Sequence, residues 1–137
     1  MKKLQTTVLI ALSSILFTNH AIAQNIPLAC QGEENAGMDW ENGKWVVARF
    51  NLSKFILVKT ENSLTTESVA KVLKNKYLTQ ITCRTTLLGI ACIDVVGSSL
   101  YFDPKTLKGS TASVFGGTSV GNKRDSVSVE VFSCTAF

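Results

Sequence analysis

Apolar and polar residues alternate strictly over 126–131, with Val127, Val129 and Val131 on one side and Ser126, Ser128 and Glu130 on the other. A period of two predicts a half-buried strand whose valine face meets the core and whose serine and glutamate face is wet. Residues 55–58 (FILV) form a short, fully apolar run, which predicts a buried strand. Further strands are expected over 45–50, 81–84, 90–93, 98–102 and 110–115, with 98–102 ended by an Asp103-Pro104 turn.

Two hairpins stand out. Asn42-Gly43 lies between Trp40-Glu41 and Lys44-Trp45. Asn-Gly is the preferred two-residue type I′ turn, so Trp40 should face Trp45 and Glu41 should face Lys44. A two-residue turn at Leu87-Leu88 likewise sets Cys83 opposite Cys92 in a close, non-hydrogen-bonded pair.

One segment has a different period. Val69, Val72, Leu73 and the Lys76-Tyr77 pair recur at helical spacing behind a Thr65 N-cap, with Glu67 in the first turn and Lys74 and Lys76 at the end. Lys71 and Lys74 read as a solvated face of that helix. With about seven strands, the pattern predicts a mainly β domain, a small antiparallel barrel or sandwich with one helix.

The start of the chain reads as a targeting segment. Lys2-Lys3 is basic, residues 7–17 are mostly apolar, and Ala21-Ile22-Ala23 has the small-x-small form of a secretory cleavage site. An 11-residue apolar run is too short to span a bilayer, which takes about 20 residues. Residues 1–23 are therefore expected to be a signal peptide, and 24–137 a single domain of 114 residues (137 − 23). That domain is expected in the periplasm or outside the cell of a bacterium, without insertion in the membrane.

Removal of Lys2 and Lys3 lowers the basic count from 14 to 12 against 10 acidic residues, so the net charge falls from +4 to +2. Little electrostatic case for nucleic acid remains. In an oxidising compartment an even number of cysteines reads as disulfides, here two. The hairpin register gives Cys83–Cys92, which leaves Cys30–Cys134.

The sole histidine, His20, lies within the signal segment. The mature domain then lacks the usual general base, which excludes Ser-His-Asp and Cys-His pairs and histidine-based zinc sites. Two motifs lose their force accordingly. Gly117-Thr118-Ser119-Val120-Gly121 matches G-x-S-x-G but reads as a loop of small residues, and Ser68-Val69-Ala70-Lys71 matches S-x-x-K but reads as the start of a helix. No cofactor or metal motif is present.

Three places are left for function. The Trp40/Trp45 pair offers indoles for a sugar ring or a protein partner. Residues 116–125 form a turn-rich loop with Lys123 and Arg124 at its far end. Asp39, Glu41, Asp94 and Asp103 supply carboxylates of the type that cleave glycosidic bonds.

In size, export signal, cysteines and strand content the chain resembles the small disulfide-bonded β-barrel inhibitors of lysozyme found in Gram-negative periplasms. Ser98-Ser99-Leu100-Tyr101 is loosely similar to their S-G-x-x-Y motif, with Ser99 where that motif has glycine and Tyr101 one residue before the place of its tyrosine. The expectation is a non-catalytic exported domain that binds a glycan or another exported protein. An inhibitor of a lysozyme-like hydrolase and a small carboxylate-dependent glycan hydrolase are the alternatives.

Overall fold

The structure, a computed structural model, describes residues 24–74, 80–114 and 126–137. The signal segment, Lys76-Tyr77, the G-x-S-x-G stretch, and Lys123 and Arg124 all lie outside the described residues.

Eight strands and one helix follow in chain order: β1 (Ile26–Glu41), β2 (Lys44–Arg49), β3 (Lys54–Lys59), α1 (Thr66–Val72), β4 (Ile81–Thr85), β5 (Ile90–Asp94), β6 (Ser98–Asp103), β7 (Lys108–Ser113) and β8 (Ser126–Ala136). The strands form one antiparallel sheet in the order β2-β1-β8-β7-β6-β5-β4, with β3 also paired to β1. The expected barrel or sandwich is thus one open sheet. β3 and β4 do not pair with each other, and α1 packs on both.

The 16-residue β1 is the strand that local pattern misses. It carries Pro27, two glycines and a polar run, none of which favours a strand. It forms because it is paired on both edges. β8 runs along one edge, while β3 and β2 divide the other, with Gln31 facing Lys54 and Ala36 facing Arg49. Between those two partners the β1–β8 register shifts from Gly32 to Glu34, a bulge at Glu33. Residues 50–53 cross at this point, where Gly32 N–H donates to the Ser53 carbonyl at 2.8 Å.

Core residues come from one face of this sheet and from α1. Leu28, Leu57, Val69, Ile90, Leu100, Phe102 and Phe132 are buried together. Phe132 stands edge-on to Phe55 with ring centroids 5.0 Å apart. Each such side chain is worth about 1.5–3 kcal/mol when fully buried. Both expected disulfides form, the one read from the hairpin register and the one left by elimination. Cys30–Cys134 joins opposed positions on β1 and β8, Cys83–Cys92 joins opposed positions on β4 and β5, and each pair has Cα atoms 4.0 Å apart.

Three local expectations need correction. In β8 the faces are reversed: Glu130 is only 6% exposed, whereas Val129 and Val131 are 51% and 42% exposed. Even positions share a face, so Glu130 enters with Phe132 and Cys134, whose burial and disulfide fix the strand's orientation. In β3 only Leu57 is fully buried and Ile56 is exposed, because this strand lies on the edge of the sheet. Thr65 is the N-cap of α1, but its hydroxyl donates to the Ser68 Oγ at 3.0 Å instead of receiving a helix N–H. Ser68 is buried within that local bond pair.

Candidate functional site: an outer apolar face and a stapled tip

The register fixes which residues share the face of the sheet opposite the core. One row across the strands reads Ile93, Ser99, Ala112, Val129, and the next reads Ala91, Tyr101, Ser110, Val131. Ile93, Tyr101, Val129 and Val131 are all exposed. Such an apolar sheet face is costly to leave in water and marks interaction surfaces. A groove of about 650 Å³ runs along it over β4–β7, with Arg84 and Thr86 at one side and Ile93 and Tyr101 in its wall.

At the end of this groove stands the β4–β5 turn. Leu87 is 99% exposed and Leu88 78%. The turn beneath them is fixed from several directions. Thr86 N–H donates to the Gly89 carbonyl at 2.7 Å, closing the hairpin. The Thr86 hydroxyl oxygen accepts from Leu88 N–H at 3.3 Å and from Gly89 N–H at 3.2 Å. From the neighbouring strand β6, the Tyr101 hydroxyl donates to the Leu88 carbonyl. Gly89 has φ of 155°, and a Cβ there would lie 2.6 Å from the Phe102 carbonyl oxygen, so only glycine lets the turn sit this close to β6. The Cys83–Cys92 disulfide braces the same two strands. The result is a rigid tip carrying two bare leucines.

The indole pair lies further along the same face. Trp40 and Trp45 are opposed in the β1–β2 register, with ring centroids 5.2 Å apart in an edge-on arrangement. Asn42 and Gly43 have φ of 51° and 81°, both positive as a type I′ turn requires. Neither indole is in the core, and both are half-buried. Met38 and Val47, exposed and opposite one another, continue the apolar face from the indoles toward Val127 and Val129.

The four acidic candidates are not gathered together. Asp94 and Asp103 flank β6 at opposite ends. The Asp94 Oδ1 accepts from Val96 N–H at 3.0 Å and from Ser98 N–H at 2.8 Å, holding the β5–β6 turn. Asp103 accepts from Lys105 N–H and from the Thr106 hydroxyl, both at 2.9 Å. The bond from Lys105 N–H, followed by that from Thr106, holds its carboxyl below the ordinary value of 3.8. These carboxylates are turn fasteners. Asp39 and Glu41 stand two residues apart on β1, at the far side of the sheet.

Sequence reasoning missed Leu87 and Leu88 as more than turn residues, and it missed Tyr101 as their brace. The signal was present, since Leu-Leu is a poor primed turn and needs external support. It also missed the buried Glu130. No family model matches the chain, and no characterised protein or solved structure does either.

Proposed function

We propose that the mature chain is an exported, non-catalytic binding domain whose partner is another exported protein, seated on the outer face with Leu87 and Leu88 as its anchors. The observation that carries this reading is the pair of bare leucines on a turn held by a disulfide, a tyrosine and a threonine. A flexible turn would lose entropy on binding; one already fixed does not. The signal-like start and the two disulfides favour an oxidising, extracytoplasmic location.

A second reading makes the partner a lysozyme-like cell-wall hydrolase. A narrow, braced tip has the shape that enters an enzyme cleft. Tyr101 is the residue that braces it. A hydrolase in its own right is less well supported, because Asp94 and Asp103 are already spent on turns.

The test compares the mature oxidised protein with Leu87→Ser/Leu88→Ser. Inhibition of lysozyme that the variant loses would make the partner a hydrolase. Release of soluble fragments from peptidoglycan would overturn the non-catalytic reading. Cross-linking in periplasm and culture medium covers other partners. A protein bound by the wild type and lost by the variant supports the proposal, and equal capture by both overturns it.

A further inference from the structure

The inner face of the sheet is apolar and dry at one end and polar at the other. Phe102, Phe132, Leu100 and the Cys30–Cys134 bridge fill the dry end. Two rows toward the other end are polar where a core would place aliphatic side chains. One row across β1, β8 and β7 is Asn35, Glu130, Thr111. The next, across β8, β7 and β6, is Ser128, Ser113, Ser98. Together they line a pocket of about 370 Å³. Polar rows at inward positions line an open pocket instead of packed core.

Two acceptors in its lining can take a further donor. Glu130 is buried; its Oε1 accepts from Ser53 N–H at 2.6 Å and its Oε2 from the Ser53 hydroxyl at 2.8 Å. Each carboxylate oxygen has a further lone pair. Asn35 donates from Nδ2 to the Asn51 carbonyl at 3.2 Å, while its Oδ1 is buried without a partner among the described residues. A buried acceptor left unpaired costs about 1–3 kcal/mol, and a bound donor would recover it.

The lining selects a class of ligand. An anion is disfavoured by Glu130 and the Asn35 carbonyl. A free cation meets Lys74 at the pocket wall, and no group of three or more metal-binding side chains occurs among the described residues. Hydroxyl-rich walls that both donate and accept suit a neutral polyol. Phe50 and Leu73, half-buried in the same wall, offer apolar surface to C–H groups. We infer that this pocket binds a single neutral sugar residue, with Glu130 and Asn35 accepting from its hydroxyl or amide groups. This site is on the face of the sheet opposite the proposed protein-binding surface and does not rest on that reading.

The experiment titrates the isotopically labelled mature protein with glucose, galactose and N-acetylglucosamine, followed by amide chemical shifts. One sugar is expected to move the amides of Ser98, Thr111, Ser113 and Ser128 with a dissociation constant in the millimolar range. Glu130→Gln should weaken binding roughly tenfold, through loss of a charge-assisted hydrogen bond. Thr111→Val and Ser128→Ala keep Glu130 and its Ser53 contacts and should each weaken binding severalfold, so the result survives if Glu130→Gln fails to fold. Leu87→Ser/Leu88→Ser should bind sugar as the wild type does. Absence of shifts at about 100 mM of every sugar would overturn the inference. So would shifts confined to the Trp40/Trp45 hairpin or the outer groove, or a structure showing only water, or a side chain of this chain, on Glu130.

Discussion

Glu130 lies directly over Gly32: its Oε1 sits 2.0 Å from the point that a Cβ on residue 32 would occupy. The glycine at the bulge is thus the floor of a buried carboxylate. Gly32→Ala has to push Glu130 off Ser53, breaking both bonds that hold it. A loss of about 1–3 kcal/mol is expected in urea unfolding, as for other overpacked sites. Glu130→Ala removes the clash, so the double variant should be more stable than the sum of the two single effects predicts.

The reversed faces of β8 make a sharp test. Val131→Lys places charge in solvent and should change stability by no more than about 0.5–1 kcal/mol. Glu130→Lys, one residue away, buries a cation among the inward residues and should cost more than about 3 kcal/mol. Equal effects in thermal or urea unfolding would mean that the valine face is the inner one.

The two disulfides close loops of very different length, with sequence separations of 104 and 9. In the chain-entropy account the stabilisations differ by (3/2)RT ln(104/9), about 2 kcal/mol. Cys30→Ala/Cys134→Ala should therefore unfold at lower urea than Cys83→Ala/Cys92→Ala. The reverse order would show that the hairpin staple acts through packing of the buried Cys92 rather than through entropy.

Asp103 predicts a pH effect. Its hydrogen bonds hold the carboxyl below the ordinary 3.8, so the unfolded chain takes up this proton more readily than the folded one. The stabilisation is fully present above that value and is lost as pH falls through the lower, folded-state value. Asp103→Asn should remove this part of the acid destabilisation. Unfolding measured between about pH 2 and 7 should show a shallower acid limb for the variant.

Local sequence signals gave the hairpins well, because a type I′ turn and a two-residue turn each fix a register from within a few residues. Trp40/Trp45 and Cys83/Cys92 are opposed for that reason. β1 was not legible because its reasons are distant: partners on both edges override its Pro27 and polar stretch. The face of β8 was misread because residues 126–131 were weighed without their continuation. Counting on by twos from Glu130 reaches Phe132 and Cys134, and one buried disulfide outweighs three valines. The outer site escaped notice for the related reason that an exposed leucine pair has no signature of its own. Its meaning comes from Tyr101, thirteen residues from Leu88.

The position of β8 also sets an order of events in time. β8 lies between β1 and β7, yet it follows both in the chain. As the polypeptide emerges from a ribosome or a translocation channel, β1 has only β2 and β3 to pair with. β4 to β7 can assemble as a separate meander of neighbouring hairpins. The two halves of the sheet are not joined by strand pairing until residues 126–136 come through and slot between them. Until that moment the edges of β1 and β7 are open to other chains, and a stalled or clipped chain would present both.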